Sequence, residues 1–419
     1  MLQRACLCLL LLAPAPALAG NGIMPIGFGT ESLTMGGADL AVTHDTSALN
    51  INPAGLTRIH GARADMHSAV ALAQTVGHRD SYGNDKEVDN DVLFAGDTGY
   101  ARKVGGRPVW WGIGLFFQNG AGVEYKSLTT AFGNQDELTS LFGTFRLNLG
   151  GAVRIGERWS VGISAGPSYS QINQEIFPNT SDAGTSFFGY SLRDMWGLGF
   201  GGRVGATFRP NARHAFGITY ATPVSTTMKH GTLVSNQTAI GLSRVTYRDV
   251  EAGGLNQPQE IGLGYAVAWT ERVLLALDLS WIDWSGAVRR STLILADPDN
   301  ASAASRVELV ADQNWRDQYV MAVGLAFQAL SALRLTAGYN HARNPVPDEN
   351  LNPTLAAIVT DHVTGGLIWD PNPDWEIQSG FVLNLRKEVT YTNPALPFGP
   401  GATERQGHLE IHMTVSRNW

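Results

Sequence analysis

A two-residue alternation of apolar and polar side chains dominates the chain from about residue 61 to its last residue. That period sends successive side chains to opposite faces of a sheet. In one segment Trp375, Ile377, Phe381, Leu383 and Leu385 share a face, and Glu376, Gln378, Asn384 and Arg386 share the other. In a second, Val273, Leu275, Leu277, Leu279 and Trp281 oppose Ala276, Asp278 and Ser280. In a third, Leu333, Leu335, Ala337 and Tyr339 oppose Arg334, Thr336 and Asn340. About fourteen such segments follow one another, near 61–77, 91–104, 108–125, 139–156, 158–177, 191–209, 212–232, 242–269, 271–296, 303–328, 331–343, 356–369, 374–391 and 404–419. Every second connection is tight, as at Gly105-Gly106-Arg107, Gly156-Glu157 and Pro371-Asn372-Pro373, whereas the alternate ones are mostly longer and polar, such as Gly77 to Asn90 and Pro178 to Tyr190. An even number of strands with short turns at one end and long loops at the other predicts an all-β fold, a transmembrane antiparallel β-barrel.

A soluble β-sandwich also alternates. Many segments here exceed ten residues, however, about the length that crosses a bilayer at a tilt. The last segment places Leu409, Ile411, Met413 and Val415 against Glu410, His412, Thr414 and Ser416 and closes on Trp419. A terminal aromatic of this kind resembles the recognition signal of outer-membrane barrels, although Arg417 departs from it. Composition agrees: 44% hydrophobic and 16% charged residues exclude disorder, and 48 glycines suit many strands and turns. Past the first 20 residues no apolar run is long enough for a spanning helix.

Residues 1–19 read as a signal peptide: Arg4, the apolar stretch Leu7 to Leu12, and Ala17-Leu18-Ala19 before Gly20. Both cysteines, Cys6 and Cys8, lie within it, so the exported chain is expected to hold no disulfide. The formal net charge of −7 argues against a nucleic-acid partner. Residues 20–60 do not alternate, yet Ile23, Met24, Ile26, Phe28, Leu33, Met35, Leu40, Leu49, Ile51 and Leu56 make them too apolar for a disordered tail. They are expected to form a compact N-terminal hatch, or plug, in the lumen of the barrel that 61–419 builds.

Two motif matches carry no chemistry in this setting. Gly162-Ile163-Ser164-Ala165-Gly166 fits the nucleophile elbow, but no helix pattern follows it. Gly197-Leu198-Gly199-Phe200-Gly201-Gly202 fits a dinucleotide loop, but strand-like Arg203 to Phe208 follow; its glycines are expected on the inner face, leaving room for a plug or ligand. The ten histidines show no metal-ligand spacing. His412, Asp278 and Glu410 are expected as solvated wall residues, and Trp281 and Trp284 as membrane-girdle aromatics. The chain is therefore read as a non-enzyme without metal or cofactor.

The chain resembles the FadL family of outer-membrane transporters for long-chain fatty acids and other hydrophobic compounds. The resemblance rests on Met35-Gly36-Gly37-Ala38, Asp45 and Asn52-Pro53-Ala54-Gly55-Leu56; on Asn256 to Gly264 and Ser280-Trp281-Ile282-Asp283-Trp284-Ser285; on Trp315-Arg316-Asp317-Gln318-Tyr319; and on Ala337-Gly338-Tyr339 with Asn344-Pro345-Val346-Pro347. It implies fourteen strands, a hatch carrying Gly36, Gly37, Asn52, Pro53 and Ala54, and a lateral exit at a kinked third strand, here Gly120, Ala121 and Gly122. It also implies integral outer-membrane localisation among lipid and lipopolysaccharide, and passive transport of a hydrophobic small molecule. Long-chain fatty acids are the first expectation. An aromatic-hydrocarbon channel of the same family and a general diffusion porin are the alternatives, and a monomer suffices. Ligand contacts are expected from Ile23, Met24, Ile26 and Phe28, which plug packing would explain equally well. Arg203, Arg334 and Arg386 face the lumen by alternation, and Arg289 or Arg290 could join them to meet a carboxylate or to balance lumenal acids.

Overall fold

The structure, a computed structural model, describes residues 20–73 and 75–419, so the expected signal peptide lies outside the described residues. Fourteen antiparallel strands close into one barrel. The first four are Ala62–Leu72, Val92–Lys103, Val109–Thr129 and Gln135–Ile155, followed by Trp159–Asp182 and Phe187–Phe208. The seventh to tenth each come in two pieces: His214–Ala221 with Thr232–Asn236, Arg244–Gly253 with Glu260–Ala268, Val273–Ile282 with Arg290–Pro298, and Arg306–Asp312 with Gln318–Leu330. The last four are Leu333–Ala342, Asp361–Asn372, Trp375–Tyr391 and Ala402–Asn418. Closure is direct, since the first strand pairs with the fourteenth from Arg63↔Asn418 to Leu72↔Leu409. A closed barrel leaves no sheet edge in lipid, where an unpaired backbone group would cost several kcal/mol.

The alternation maps onto the wall as expected. Leu147, Leu149, Ile163, Leu198, Phe200, Leu263, Leu279, Ile411 and Met413 point outward, each at least 43% exposed. Their neighbours in sequence, such as Asn148, Ser164, Asp278 and His412, are buried on the inner face. No helix among the described residues is long and apolar enough to cross a membrane.

Three sequence expectations change. The segments 212–232, 242–269, 271–296 and 303–328 are not continuous strands, because each breaks near the same height, at 222–231, 254–259, 283–289 and 313–317. In the ninth strand the break is a short helix, Trp284–Ala287, which turns Trp284 inward to full burial against Trp315. Trp284 is therefore core and not girdle. Second, the inner-face glycines 197, 199 and 201 are covered mainly by the inward fold of the seventh strand, Val224 to Met228, which a Cβ at those positions would strike. Third, His412 and Glu410 are dry and hydrogen-bonded to each other at 3.1 Å.

Residues 20–60 lie inside the barrel and touch every strand. Thr30 N–H donates to Thr414, Glu31 N–H to Gln378, and Asp39 and Leu40 N–H to Asp278, at 2.8 to 3.2 Å. Thr364 donates to Thr34 O and Asn340 to Gly36 O. On the opposite wall Ser164 donates to Leu49 O, Asn148 to Asn50 and Trp110 to Ile59 O, while Asp65 accepts from Thr46. Glycines at 99, 205, 217, 264 and 324 admit Thr46, Asn52, Leu40 and Met35 at close range. Ser164, the residue of the elbow motif, thus spends its hydroxyl on this packing.

Candidate functional site

Two of the motifs that carried the resemblance set the shape of the interior segment. Gly36 has φ +69°, and a Cβ there would collide with the Tyr339 backbone, so the turn needs glycine twice over. Asn52 caps the short helix Pro53–Arg58 by accepting from Ala54 N–H at 3.2 Å, and donates to Leu40 O at 2.7 Å. That second bond ties two turns of the segment together.

The third strand is irregular where the sequence placed its glycines. It pairs with the second strand only from Leu115↔Thr98 to Trp110↔Lys103. Beyond that, Gln118 is an extra residue, with a register shift between Phe117 and Asn119 against the fourth strand. The backbone groups freed there find other partners. Phe117 N–H donates to Asp97 Oδ1 at 2.8 Å, and Gly120 N–H donates to Ile23 O at 3.0 Å. Bulges locally disrupt a ladder and bend a strand. The wall therefore lacks direct pairing between Val92–Asp97 and the third strand, and Ala121, Gly122 and Val123 line a cavity of about 30 Å³ with Ala73 and Leu93.

Two further cavities lie inside. One of about 260 Å³ sits between the fourth to sixth strands, the upper pieces of the eighth to tenth, and the loops at 352–355 and 396–398. Leu138, Phe142, Ile172, Leu192, Met228 and Phe398 line it, and no charged side chain does. The other, about 60 Å³, lies under residues 21–28, where Met24, Ile26 and Phe28 meet Arg203, Glu260, Asp39 and Asp278. Burial, with Asp45 alongside, pushes the Asp39 carboxyl up to about 7. Ile23 is not at this cavity but in the large apolar cluster that includes Ala121 and Trp284.

The expected cations separate. Arg203 is lumenal but engaged, 2.5 Å from Glu260 and donating to Ile51 O. Arg334 pairs with Glu31 at 3.0 Å. Arg386 does not reach the lumenal sites: it is exposed and paired with Glu388, beside the register shift between Asn384 and Lys387 that upsets the alternation. Arg289 is exposed as well, because the short helix before it reorients the ninth strand, and exposed Arg290 pairs with Asp312.

One arginine that sequence reasoning passed over is Arg146. It is 5% exposed on the inner face of the fourth strand, one inward position below Thr144 and two below Phe142 of the large cavity. It donates to Ser168 Oγ at 2.9 Å and to Gln257, and meets no carboxylate among the described residues. Alternation in 139–156 already turned Arg146 inward; its solitude depends on the fifth and eighth strands.

Residues 27–416 match the family described as Outer membrane protein transport protein (OMPP1/FadL/TodX). Comparison with curated protein sequences finds no match. Among solved structures, the P. putida toluene transporter TodX superposes with a TM-score of 0.79 at 20% identity, covering 94% of this chain and 99% of that one. The Ralstonia pickettii toluene transporter TbuX gives 0.73 at 18%, covering 94% and 99%. A Pseudomonas aeruginosa FadL homologue gives 0.74 at 14%, covering 95% and 99%. At such identities the superpositions speak to the fold, while the family match spans nearly the whole chain. The protein belongs to the FadL/TodX family of integral outer-membrane barrels, transport channels for hydrophobic compounds.

Proposed function

We propose that the barrel carries hydrophobic carboxylates, long-chain fatty acids foremost, by passive diffusion. The observation that carries this is Arg146, a buried guanidinium without a carboxylate partner, on the same inner face as Phe142 of an apolar cavity of about 260 Å³ and two inward positions below that residue. Buried charges are normally paired. A fatty acid supplies both halves of what the site lacks, an apolar tail for the cavity and an anion for Arg146.

Residues 20–60 act as the hatch. Their Ile23 carbonyl holds Gly120 N–H, so a shift of the Gly20 to Met24 turn frees the third strand at its bulge. Ligand then leaves sideways past Ala121 and Gly122, which keeps it in apolar surroundings throughout.

Binding of a fluorescent long-chain fatty acid to the folded barrel in detergent tests the substrate. Arg146→Met should weaken it at least roughly tenfold, the scale of a lost charge-assisted hydrogen bond. Toluene binding should not change. Equal fatty-acid affinity in the variant would remove the proposal.

A second reading, an uncharged monoaromatic cargo, is favoured by the wholly uncharged lining of the large cavity and by the likeness to the toluene transporters above. Apolar cavities of roughly 150 Å³ suffice for benzene. Saturable toluene binding without fatty-acid binding would establish it.

A further inference from the structure

The short turns at the end opposite the long loops carry a concentration of basic side chains that neither the lumen nor the transport route uses. The turn after the second strand holds Lys103 and Arg107, the next one Arg158, the next Arg209 and Arg213, and the fourth Arg272. The same four turns hold two acids, Glu157 and Glu271. Backbone bonds make the turns neighbours: Arg209 N–H donates to Arg158 O, Ala268 N–H to Arg213 O, and Arg154 N–H to Pro108 O. The result is a continuous arc under the second to ninth strands.

None of the six forms an ion pair among the described residues. Positive charge is crowded along the arc: burial and the guanidinium of Arg154, beside the turn, together depress the pKa of Arg209. The opposite part of the rim differs in sign: the turn between the twelfth and thirteenth strands carries Asp370 and Asp374, and Arg417 pairs with the latter at 3.7 Å. The depth of the arc is fixed by lipid-facing aromatics directly beside it, Trp111, Trp159, Phe216 and Trp269, which are 39 to 70% exposed. Such rings settle at the headgroup level of a bilayer. Unpaired arginines at that depth meet phosphate oxygens, for which a guanidinium is geometrically suited.

We propose that this arc is a binding surface for anionic phospholipid headgroups of the periplasmic leaflet, so that one side of the barrel selects its lipid neighbours. Charge complementarity, and the position of the arc between lipid-facing aromatics and the aqueous rim, favour a lipid over a soluble partner. Juxtamembrane basic clusters bind anionic lipid in this manner, with strong dependence on salt.

The test is quenching of tryptophan fluorescence in phosphatidylcholine bilayers that contain either brominated phosphatidylglycerol or brominated phosphatidylcholine. The intact protein should prefer phosphatidylglycerol roughly three- to tenfold at low salt, and the preference should fade as salt rises. A variant combining Arg107→Ser, Arg158→Ser, Arg213→Ser and Arg272→Ser should lose it. Those four residues contribute only backbone groups to the turn bonds, so the barrel should fold normally. The control Arg290→Ser with Arg316→Ser, at the breaks of the ninth and tenth strands and away from the short turns, should keep it. Equal quenching by both lipids in the intact protein overturns the proposal. A preference that survives the fourfold change also overturns it.

Discussion

Arg203 and Arg146 sit on the inner face of the same barrel and should respond to substitution in opposite ways. Arg203→Met strands Glu260, its partner at 2.5 Å, and breaking a buried pair from one side costs about 3 kcal/mol or more. Denaturant unfolding should show that loss, and the double change Arg203→Met with Glu260→Leu should recover most of it. Arg146→Met strands no carboxylate, so stability should hold or rise while ligand affinity falls. A third residue lies outside the membrane-spanning segments, in the small hairpin Gly77–Arg79 and Asp85–Glu87. Burial alone would depress the His78 imidazolium, but hydrogen bonds to Asp80 and Glu404 and their charges outweigh it and raise its pKa to about 9. A raised folded-state pKa binds the proton more tightly than the unfolded chain does. Its stabilisation is therefore complete below pH 6.5, the ordinary histidine value, and is lost as pH climbs through about 9. Protection of the amides of residues 77–87, relative to the intrinsic base-catalysed exchange rate, should fall across that window in the intact protein and show no such step in His78→Leu. Side-chain direction was legible in the sequence for Arg203 and Arg146, because alternation gives it, but not for His78, which lies in a connection between strands. Partnership was not, since Glu260 lies 57 positions from Arg203.

At the scale of the element, the glycine-rich third strand was recognisable because Gly120 and Gly122 weaken a strand interior. What the sequence could not show is that a hydrogen bond to Ile23 couples this strand to the interior segment. Gly120→Val would drive a side chain into the Phe117 ring and the Phe142 carbonyl. Uptake of ligand by cells expressing this variant should fall severalfold while heat-modifiable barrel reaches normal levels; normal uptake would remove the lateral route. The breaks in the seventh to tenth strands escaped prediction for a physical reason. A two-residue period survives a bulge or a single helical turn whenever the flanking pieces keep their own faces, as Val273 to Ile282 and Arg290 to Pro298 do on either side of Trp284. Asn52 is a simpler element-level case: Asn52→Ala deletes a cap and the bond to Leu40 O, costing about 1 to 2 kcal/mol in denaturant unfolding.

For the whole molecule, contact between residues 20–60 and all fourteen strands leaves no wide aqueous bore. Planar-bilayer conductance should accordingly be small, and deletion of residues 20–56 should raise it greatly. A large steady conductance in the intact protein would instead identify a general diffusion porin. The wall itself is uneven in height. The third to sixth strands run 21 to 24 residues, whereas the first, second, eleventh and twelfth run 10 to 12. At about 3.4 Å per residue and a tilt near 40°, the tall side rises roughly 55 to 60 Å, about twice the height of the apolar band. The 260 Å³ cavity leans against the upper part of that side, through Leu138, Ile176 and Phe177. On the proposed route a greasy molecule arriving from outside would thus be met well above the apolar band. On that route the hydrated saccharide layer, which repels such molecules, would be crossed within protein.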